Sequence, residues 1–200
     1  MDKPSFFDRI RFIGSEFVLG TLVAVLSILT AISGFQASQS DSSQMKYNVQ
    51  GQQKLTDANA EYLTANQLIV YDYSLYDGWY TAETVEKEDY YLSSFSDELT
   101  AAIDSDEEDP FSDAYYDAMY VYADDMFEES DDYFITAEEY DEQGTQLQLV
   151  MMIMALGLAF GAWASLLNQK SKVRLIFAVL SIGMLVYGIV LYLNVPTVMI

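Results

Sequence analysis

Three long runs of apolar residues divide the chain, and none of them contains a charged residue. They cover residues 17–35, 147–167 and 175–193. An α-helix rises about 1.5 Å per residue, so each run is long enough to cross the hydrocarbon core of a bilayer, roughly 30 Å thick. A soluble helix rarely needs so long a surface that is apolar all round. The pattern predicts three transmembrane helices.

The first run can also be interpreted as a cleaved signal peptide, because cationic residues precede it. Its apolar stretch is longer than the usual core of a signal peptide, and Phe35 interrupts the small-residue pattern if cleavage follows Ala37. A cut after Ser33 fits less well than retention. We therefore expect residues 17–35 to remain as a membrane anchor.

Residues 36–146 show apolar positions at three- and four-residue steps, which is typical of amphipathic helices. A polar neck at 36–54, rich in Ser and Gln, comes first. A helix ending near Asp77-Gly78 is predicted next, and further helices are predicted to begin at Thr81, at Ser112 and at Thr136, where Glu139 completes a capping box. The last helix is expected to continue into the second span. One apolar stripe on the first of these helices comprises Leu55, Ala58, Tyr62, Ala65, Ile69, Tyr73 and Tyr76.

The length of the neck raises a packing problem. The neck and the helix that follows it, residues 36–77, rise about 60 Å if they form one straight helix. The helix predicted to return to the membrane offers only about ten residues before the second span. The neck must therefore bend near Gly51, or other subunits must pack against it. Both alternatives stay open at this point.

Charge is strongly segregated along the chain. Hydrophobic residues make up 52% of it, yet the formal net charge is −22, and residues 36–146 hold 28 of the 31 acids with only three lysines, which gives −25. A surface this acidic excludes nucleic acid as a ligand, because phosphate binding needs cations. The chain has neither Cys nor His, which removes thiol nucleophiles, disulfides and the commonest zinc ligands. The predicted fold class is an all-α membrane protein with three transmembrane helices and an acidic extracytoplasmic helical bundle.

The few cations predict an orientation. Six of the nine flank the spans, and short flanks rich in Lys and Arg stay in the cytoplasm. Residues 1–16 and the basic loop 168–174 are therefore predicted to be cytoplasmic. Residues 36–146 and the tail 194–200 are predicted to lie outside, in a multi-pass protein of the plasma membrane. The cations that set this topology are Lys3, Arg9, Arg11, Lys170, Lys172 and Arg174.

An acidic tract at 104–109 invites a calcium-site interpretation, because hard cations prefer several oxygen ligands. Its acids are Asp104, Asp106, Glu108 and Asp109, with Glu107 between them. The EF-hand pattern needs Gly at its sixth position and Glu at its twelfth, and Asp109 and Tyr115 stand there instead. A solvated acidic turn is the favoured reading, and a weak site for Ca²⁺ or another cation is the alternative. No other cofactor is expected.

Small residues recur every fourth position on the second span, at Gly157, Gly161 and Ser165. Small residues at this spacing let helix backbones approach closely, so this face is predicted to pack against another helix of the same chain or of a neighbour. No ionisable residue lies within any span, which disfavours a proton relay or an ion-coupled transporter.

Two tracts carry a resemblance to a known group of proteins. LTAISGFQASQ at 29–39 and LTANQLIVYDYSLYDGWYTAE at 63–83 are similar to the stretch after the first span in uncharacterised bacterial membrane proteins with one N-terminal and two C-terminal spans around a helical middle domain. The similarity covers the order of parts along the whole chain but only some forty residues in sequence, and the acidic stretch at 104–132 departs from it. It implies a fold layout and no known activity.

The sequence lacks the recognisable motifs of enzymes, including phosphate-binding loops, nucleophile elbows and metalloprotease motifs. The leading hypothesis is a non-enzymatic membrane protein that forms a homo-oligomer or belongs to a larger membrane complex, with its acidic ectodomain as the interaction module. The alternative is a cation channel or cation-binding assembly with an acidic extracytoplasmic vestibule.

Overall fold

The computed structural model describes residues 12, 14–105, 109–169 and 171–198. Within these residues the chain forms five helices, and the all-α prediction is confirmed. The helices are α1 (Glu16–Tyr80), α2 (Val85–Leu92), α3 (Asp97–Asp104), α4 (Asp113–Leu166) and α5 (Lys172–Leu193).

Three helices of the described chain, α1, α4 and α5, are long and apolar enough to cross a membrane. Their most apolar windows of 18 residues have mean hydropathies of 2.2, 2.1 and 2.4. Most of the residues in these windows are not buried inside the chain. Lipid would therefore supply the contacts that a soluble helix of this kind would lack.

The neck stays helical through Gly51, and it has partners within the chain. α1 is one helix of 65 residues that includes the whole neck. Gly51 is buried against the ring of Phe134, and its carbonyl accepts a hydrogen bond of 3.0 Å from Ser130 Oγ. Nearer the first span, Ser40 Oγ donates to Gln143 Oε1 at 2.7 Å. The length mismatch that led to both alternatives therefore disappears, and packing by other subunits against the neck stays a prediction.

The prediction of a helix beginning at Ser112 agrees with α4, but the prediction of a separate helix beginning at Thr136 is wrong, because α4 is continuous over 54 residues. It begins directly after Ser112 and passes through Thr136 and Glu139 without interruption. No proline or glycine lies between Asp113 and Gly144, so nothing in this stretch breaks a helix. The longer returning helix supplies the neck with the partner that the sequence analysis could not find.

The helix predicted to begin at Thr81 is instead two short helices. Thr84 caps α2 by accepting a hydrogen bond from Lys87 N, and Ser96 caps α3 by accepting one from Leu99 N. The Ser93 and Ser94 hydroxyls both donate to the carbonyl of Tyr90 and end α2. Serine side chains compete for backbone groups in this way, which is why they break the helix here.

The chain divides into two compact units, and each has its own core. One unit comprises Met1–Lys46 and Thr136–Ile200, and the other comprises Tyr47–Ile135. We call the first the spanning unit and the second the outer unit. The predicted outer segment, 36–146, is wider than the compact outer unit, because the residues at both of its edges pack with the spans.

Rows of small residues bring helix backbones together in the outer unit. On α1 the buried positions Gly51, Ala58 and Ala65 recur every seven residues, and on α4 the buried positions Ala123 and Ser130 do the same. Seven residues are close to two helical turns, so each row lies along one side of its helix. The contact between Ser130 and the Gly51 carbonyl shows how closely the two backbones approach.

In the spanning unit, α4 packs against both α1 and α5. Leu22 and Leu26 of α1 form a core cluster with Val150 and Met154 of α4. On the α5 side, Ser181 Oγ donates to the carbonyl of Gly157 at 2.7 Å. Small side chains again permit this approach, as expected where packing rather than water drives helix association.

Candidate functional site

A buried carboxylate forms the polar centre of the outer unit. Asp72 of α1 is 2% exposed and accepts three hydrogen bonds. Ser96 N donates to Oδ1 at 3.1 Å, Ser96 Oγ donates to Oδ2 at 2.5 Å, and Tyr115 Oη donates to Oδ2 at 2.8 Å. A charged group this deeply buried is tolerated only when its acceptors are satisfied. The carboxylate therefore ties α1 to α3 and α4.

The position of Ser96 explains this arrangement. Ser96 is the N-cap of α3, so its own hydroxyl accepts from Leu99 N at 3.0 Å while donating to Asp72. Free N–H groups and the helix dipole make a helix N-terminus favourable for a negative charge. α3 is short, so we assign this contact a structural role and not a ligand site.

Tyr115 completes the network from α4. Burial raises the pKa of Tyr115 well above its ordinary value, and its hydrogen bond to the Asp72 carboxylate raises that pKa further. Both causes act in the same direction, because ionisation would place a second negative charge in a buried position beside the first. The phenol is therefore held as a hydrogen-bond donor.

Aromatic rings surround this polar centre. The rings of Tyr73 and Phe111 stack with centroids 4.0 Å apart, and Tyr76 meets Phe111 edge-on at 5.4 Å. The hydroxyls of Tyr73 and Tyr116 lie 2.6 Å apart. This hydrogen bond and partial burial raise the pKa of Tyr116 to about 12. Aromatic packing of this kind excludes water from the carboxylate and strengthens its hydrogen bonds.

The chemistry available to this cluster is limited. Proton transfer needs a group whose pKa lies near the working pH, whereas the tyrosines here are held protonated. The cluster contains no second carboxylate that contacts Asp72 among the described residues. It is best understood as the buried polar connection that sets how α1, α3 and α4 align.

The predicted cation site is only partly within the described residues. Asp104 is exposed at the end of α3, and the exposed Asp109 accepts a hydrogen bond of 2.9 Å from Phe111 N. Asp106 and Glu108 lie outside the described residues. Across the part of the chain that the structure describes, no three acids converge as metal ligands would. The cation site stays a prediction.

The predicted packing face of the second span is buried at two of its three positions. A Cβ atom on Gly157 would lie 2.9 Å from Met184 Cβ and 3.2 Å from Leu26 Cδ2, and one on Gly161 would lie 3.0 Å from Ser181 Oγ. Ser165 is exposed, and its hydroxyl bonds to the carbonyl of Ala162 in its own helix. Ala164, which is fully buried, takes the next place in the row. The row follows alternating steps of four and three residues, so it reaches 164 and not 165.

Arg174 has a packing role that its assignment to a basic loop did not anticipate. It lies within α5, is 3% exposed, and donates to two carbonyls: Gly14 O at 2.9 Å and Leu167 O at 2.7 Å. It thereby joins the ends of all three candidate spans. Lys172 is exposed at the first position of α5. The other topology residues, Lys3, Arg9, Arg11 and Lys170, lie outside the described residues.

The outer unit has two contrasting surfaces. The side of α1 that faces away from α4 is uncharged between Val49 and Ser74, although three acids lie elsewhere on that stretch. The outward side of α4 carries exposed acids, among them Asp117, Asp124, Asp125, Glu128, Asp131 and Asp132. The sum of charges over residues 36–146 did not predict this difference between two helices of one acidic unit.

Comparison with protein-family models, curated proteins and solved structures gives no match. The resemblance to uncharacterised membrane proteins with three spans therefore stays a prediction. What can be said about function rests on the geometry of this chain alone.

Asp72 is not among the residues predicted from the sequence, although the sequence contains a signal for it. Asp72 follows Ala65 by seven residues and Ile69 by three, so it occupies the buried side of α1. A lone acid on the apolar side of a helix indicates a buried hydrogen-bonded group. Its donors, Ser96 and Tyr115, are 24 and 43 residues away in sequence, and local spacing does not predict them.

Proposed function

We propose that this chain is a non-enzymatic integral protein of the plasma membrane that associates with copies of itself through the uncharged side of α1. In this proposal the N-terminus is cytoplasmic and residues 36–146 lie outside the cell. The acidic surface formed by α4 then faces outward from the assembly and is available to other membrane or extracellular partners. The observation that carries the proposal is the uncharged side of α1.

That side has the spacing of a coiled-coil seam. Its positions alternate by four and three residues, and all are exposed in the single chain. Leu63, near the middle, is 61% exposed. Alternating steps of four and three are the spacing by which two helices pack side by side over many turns. The seam consists of Val49, Gln53, Thr56, Ala60, Leu63, Gln67, Val70 and Ser74.

Charge favours a second copy as the occupant. Residues 36–146 carry a net charge of −25, so two copies repel each other over most of their outer surfaces. The uncharged seam lets the two chains meet without placing acids against acids. Copies in one membrane also share one orientation, so their α1 helices run parallel, and each seam residue meets its own counterpart across a two-fold axis.

Cysteine crosslinking tests this proposal directly, because the chain contains no cysteine of its own. In a parallel symmetric pair, the cysteines of a Leu63→Cys variant face each other across the axis. Mild oxidation of native membranes should then give a covalent dimer on a denaturing gel. Glu128→Cys, on the exposed acidic side of α4, is the matched control and should stay monomeric. Equal crosslinking of both variants, or none at Leu63→Cys, contradicts self-association through the seam.

The orientation is tested with the same control variant. A thiol reagent that does not cross membranes should label Glu128→Cys in intact cells. If labelling requires opened cells, the proposed topology is wrong, whatever the crosslinking result.

A further inference from the structure

A pocket of about 520 Å³ lies within the spanning unit, at the ends of the three candidate spans opposite to the basic loop. Residues just after the first span, just before the second and just after the third contribute to its wall. The polar part of the wall comes mainly from Gln36, Gln39, Ser40, Ser43, Tyr140 and Gln143. A cavity of this volume suits a group the size of a sugar ring or a disaccharide.

Hydrogen bonds hold the wall in place. Ser40 Oγ donates to Gln143 Oε1 at 2.7 Å, and Gln143 Nε2 donates to the carbonyl of Pro196 at 2.9 Å. Pro196 lies in the segment after α5, where a proline cannot continue a helix. Gln143 therefore fixes this segment beside α1 and α4, so hydrogen bonds between chain segments position the wall of the pocket.

The wall is uncharged, although the chain around it is strongly acidic. None of the twelve described residues that line the pocket is charged. The nearby acids Asp41 and Asp141 accept hydrogen bonds from Gln148 and Gln44 and do not line it. A phosphate would lack a cationic partner here, and an ammonium group would lack a carboxylate. The chemistry of the wall favours an uncharged ligand.

The polar groups of the wall can still bind a ligand. Within the described residues, the side chains of Gln36, Gln39 and Ser43 make no hydrogen bond to the rest of the chain. Each amide offers both a donor and an acceptor, and each hydroxyl does the same. Ligand hydroxyls have this double character, so a polyhydroxylated group is the best complement.

The remaining wall is mainly apolar, apart from the hydroxyl groups of Tyr192 and Thr197, and it continues into the candidate spans. Leu147, Leu193 and Val195 line it, and Leu147 begins the second predicted span while Leu193 ends the third. A ligand in this position therefore meets polar groups on one side and the membrane-spanning helices on the other. This is the environment of a lipid headgroup with its chains attached.

We infer that this pocket binds the uncharged, hydroxyl-rich headgroup of a membrane lipid, of the glycosyl-diacylglycerol class. Gln36, Gln39 and Ser43 hydrogen-bond the headgroup hydroxyls, and Leu147 and Leu193 contact the start of the acyl chains. This inference rests on the proposed membrane insertion and not on self-association, because residues of a single chain line the pocket.

Native mass spectrometry of the full chain tests it, in a detergent that has no sugar headgroup. The protein is mixed with equal amounts of a monoglucosyl-diacylglycerol, a phosphatidylcholine and a phosphatidylglycerol with identical acyl chains. The glycolipid adduct should dominate. Ser43→Leu should reduce that adduct about tenfold, the effect of losing one or two ligand hydrogen bonds and part of the space.

Ser42→Leu is the matched control, because Ser42 adjoins Ser43 on α1, is exposed, does not line the pocket, and donates a hydrogen bond to the carbonyl of Ser38 in its own helix. It should leave the glycolipid adduct unchanged. Gln39→Leu is a second pocket variant at an exposed helical position, and circular dichroism verifies that each variant keeps its helical content.

Three outcomes overturn the inference. One is equal or greater retention of either phospholipid, and another is a glycolipid adduct that survives both pocket variants. The third is displacement of the glycolipid by methyl glucoside alone at comparable concentration, which would mean that the site takes a soluble sugar and not a lipid.

Discussion

Each unit of this protein contains a fully buried serine that makes the same contact with a neighbouring helix. In the outer unit, Ser130 donates to the carbonyl of Gly51 at 3.0 Å, and in the spanning unit Ser181 donates to the carbonyl of Gly157 at 2.7 Å. Both contacts require a glycine, because a Cβ atom at either position would lie 2.9 Å from a neighbouring side-chain atom. In both units, therefore, a serine hydroxyl bonded to a glycine carbonyl marks the place where two helix backbones pack closely.

The groups around this serine–glycine contact differ between the units. The outer unit adds a buried carboxylate, a shell of aromatic rings and an acidic exterior around Asp72. The spanning unit has no acid within its apolar runs and leaves large side chains such as Ile176 and Val186 exposed. Water drives apolar burial in the outer unit. Lipid around the spanning unit would remove that driving force, and packing contacts would then carry more of the helix association there.

Two tryptophans allow the units to be followed separately in the full chain. Trp79 belongs to the outer unit and Trp163 to the spanning unit. Trp163→Phe leaves a reporter of the outer unit, and Trp79→Phe leaves a reporter of the spanning unit. Denaturant titration of these variants in mixed micelles, followed by fluorescence, gives the free energy of unfolding that each tryptophan reports.

The largest expected loss of stability comes from replacing Asp72, the buried acid of the outer unit. Asp72→Ala leaves the Ser96 N–H, the Ser96 hydroxyl and the Tyr115 hydroxyl without their acceptor. We expect the free energy of unfolding reported by Trp79 to fall by about 3–5 kcal/mol. Asp72→Asn keeps an acceptor oxygen and should cost less. A loss below about 1 kcal/mol for Asp72→Ala would mean that the network does not stabilise the outer unit.

The next effect concerns glycine packing in the spanning unit. Gly157→Ala places a Cβ atom 2.9 Å from Met184 Cβ, so α4 and α5 must separate. We expect a loss of about 2 kcal/mol in the Trp163 signal. Gly183→Ala on α5 is the matched control, because among the described residues a Cβ atom there has no neighbour within 4 Å beyond the adjoining residues and its own turn of helix, and it should be neutral or slightly stabilising. Similar losses for both variants would contradict close packing specifically at Gly157.

Tyr115→Phe should change how the stability of the outer unit depends on pH. Removal of the hydroxyl leaves Asp72 with two donors, and we expect a loss of about 1.5 kcal/mol near neutral pH. The folded-state pKa of Tyr115 is raised above the ordinary value of 10.0, so its contribution is fully present below that value. As the pH rises above about 10, unfolded tyrosine ionises first and the outer unit loses stability.

The alkaline loss should be reduced in Tyr115→Phe, and Tyr116, with a pKa of about 12, should account for part of what remains. Tyrosinate absorbance, recorded together with Trp79 fluorescence, measures both processes. An unchanged alkaline profile in the variant would show that Tyr115 is not the titrating group.

The smallest effect compares the two serines directly. Ser130→Ala and Ser181→Ala each remove one hydrogen bond to a glycine carbonyl. We expect a loss of about 1 kcal/mol in the outer unit and about 0.6 kcal/mol in the spanning unit, where buried polar groups find other partners in the unfolded state. Each variant should affect only the tryptophan of its own unit. A larger loss at Ser181 than at Ser130 would reverse our interpretation of the two environments.

Several features of the fold were predictable because they depend on neighbouring residues. Uncharged runs of span length predicted the apolar parts of α1, α4 and α5, and three- and four-residue spacing predicted a helical outer segment. The spacing of Gly157 and Gly161 indicated a packed face. The spacing did not show that Ala164 rather than Ser165 continues that face, because the choice depends on the crossing of three helices.

Helix ends were less predictable. Thr136 and Glu139 have the residues of a capping box, yet α4 continues through them because no residue there breaks a helix. Ser93 and Ser94 looked compatible with one helix, yet their hydroxyls end α2, and α3 begins where Ser96 meets Asp72. The same residue types cap, break or continue a helix according to what packs against them.

The sequence by itself determined where the apolar and acidic residues lie, and hence which segments can enter a bilayer, because these properties are additive along the chain. The tertiary structure alone decided which polar groups are buried together: Asp72 with Ser96 and Tyr115, and Gln143 with Ser40 and Pro196. It also decided which side of α1 stays without a partner in the single chain. These outcomes depend on contacts between residues far apart in sequence, and their energies arise only once the helices have packed.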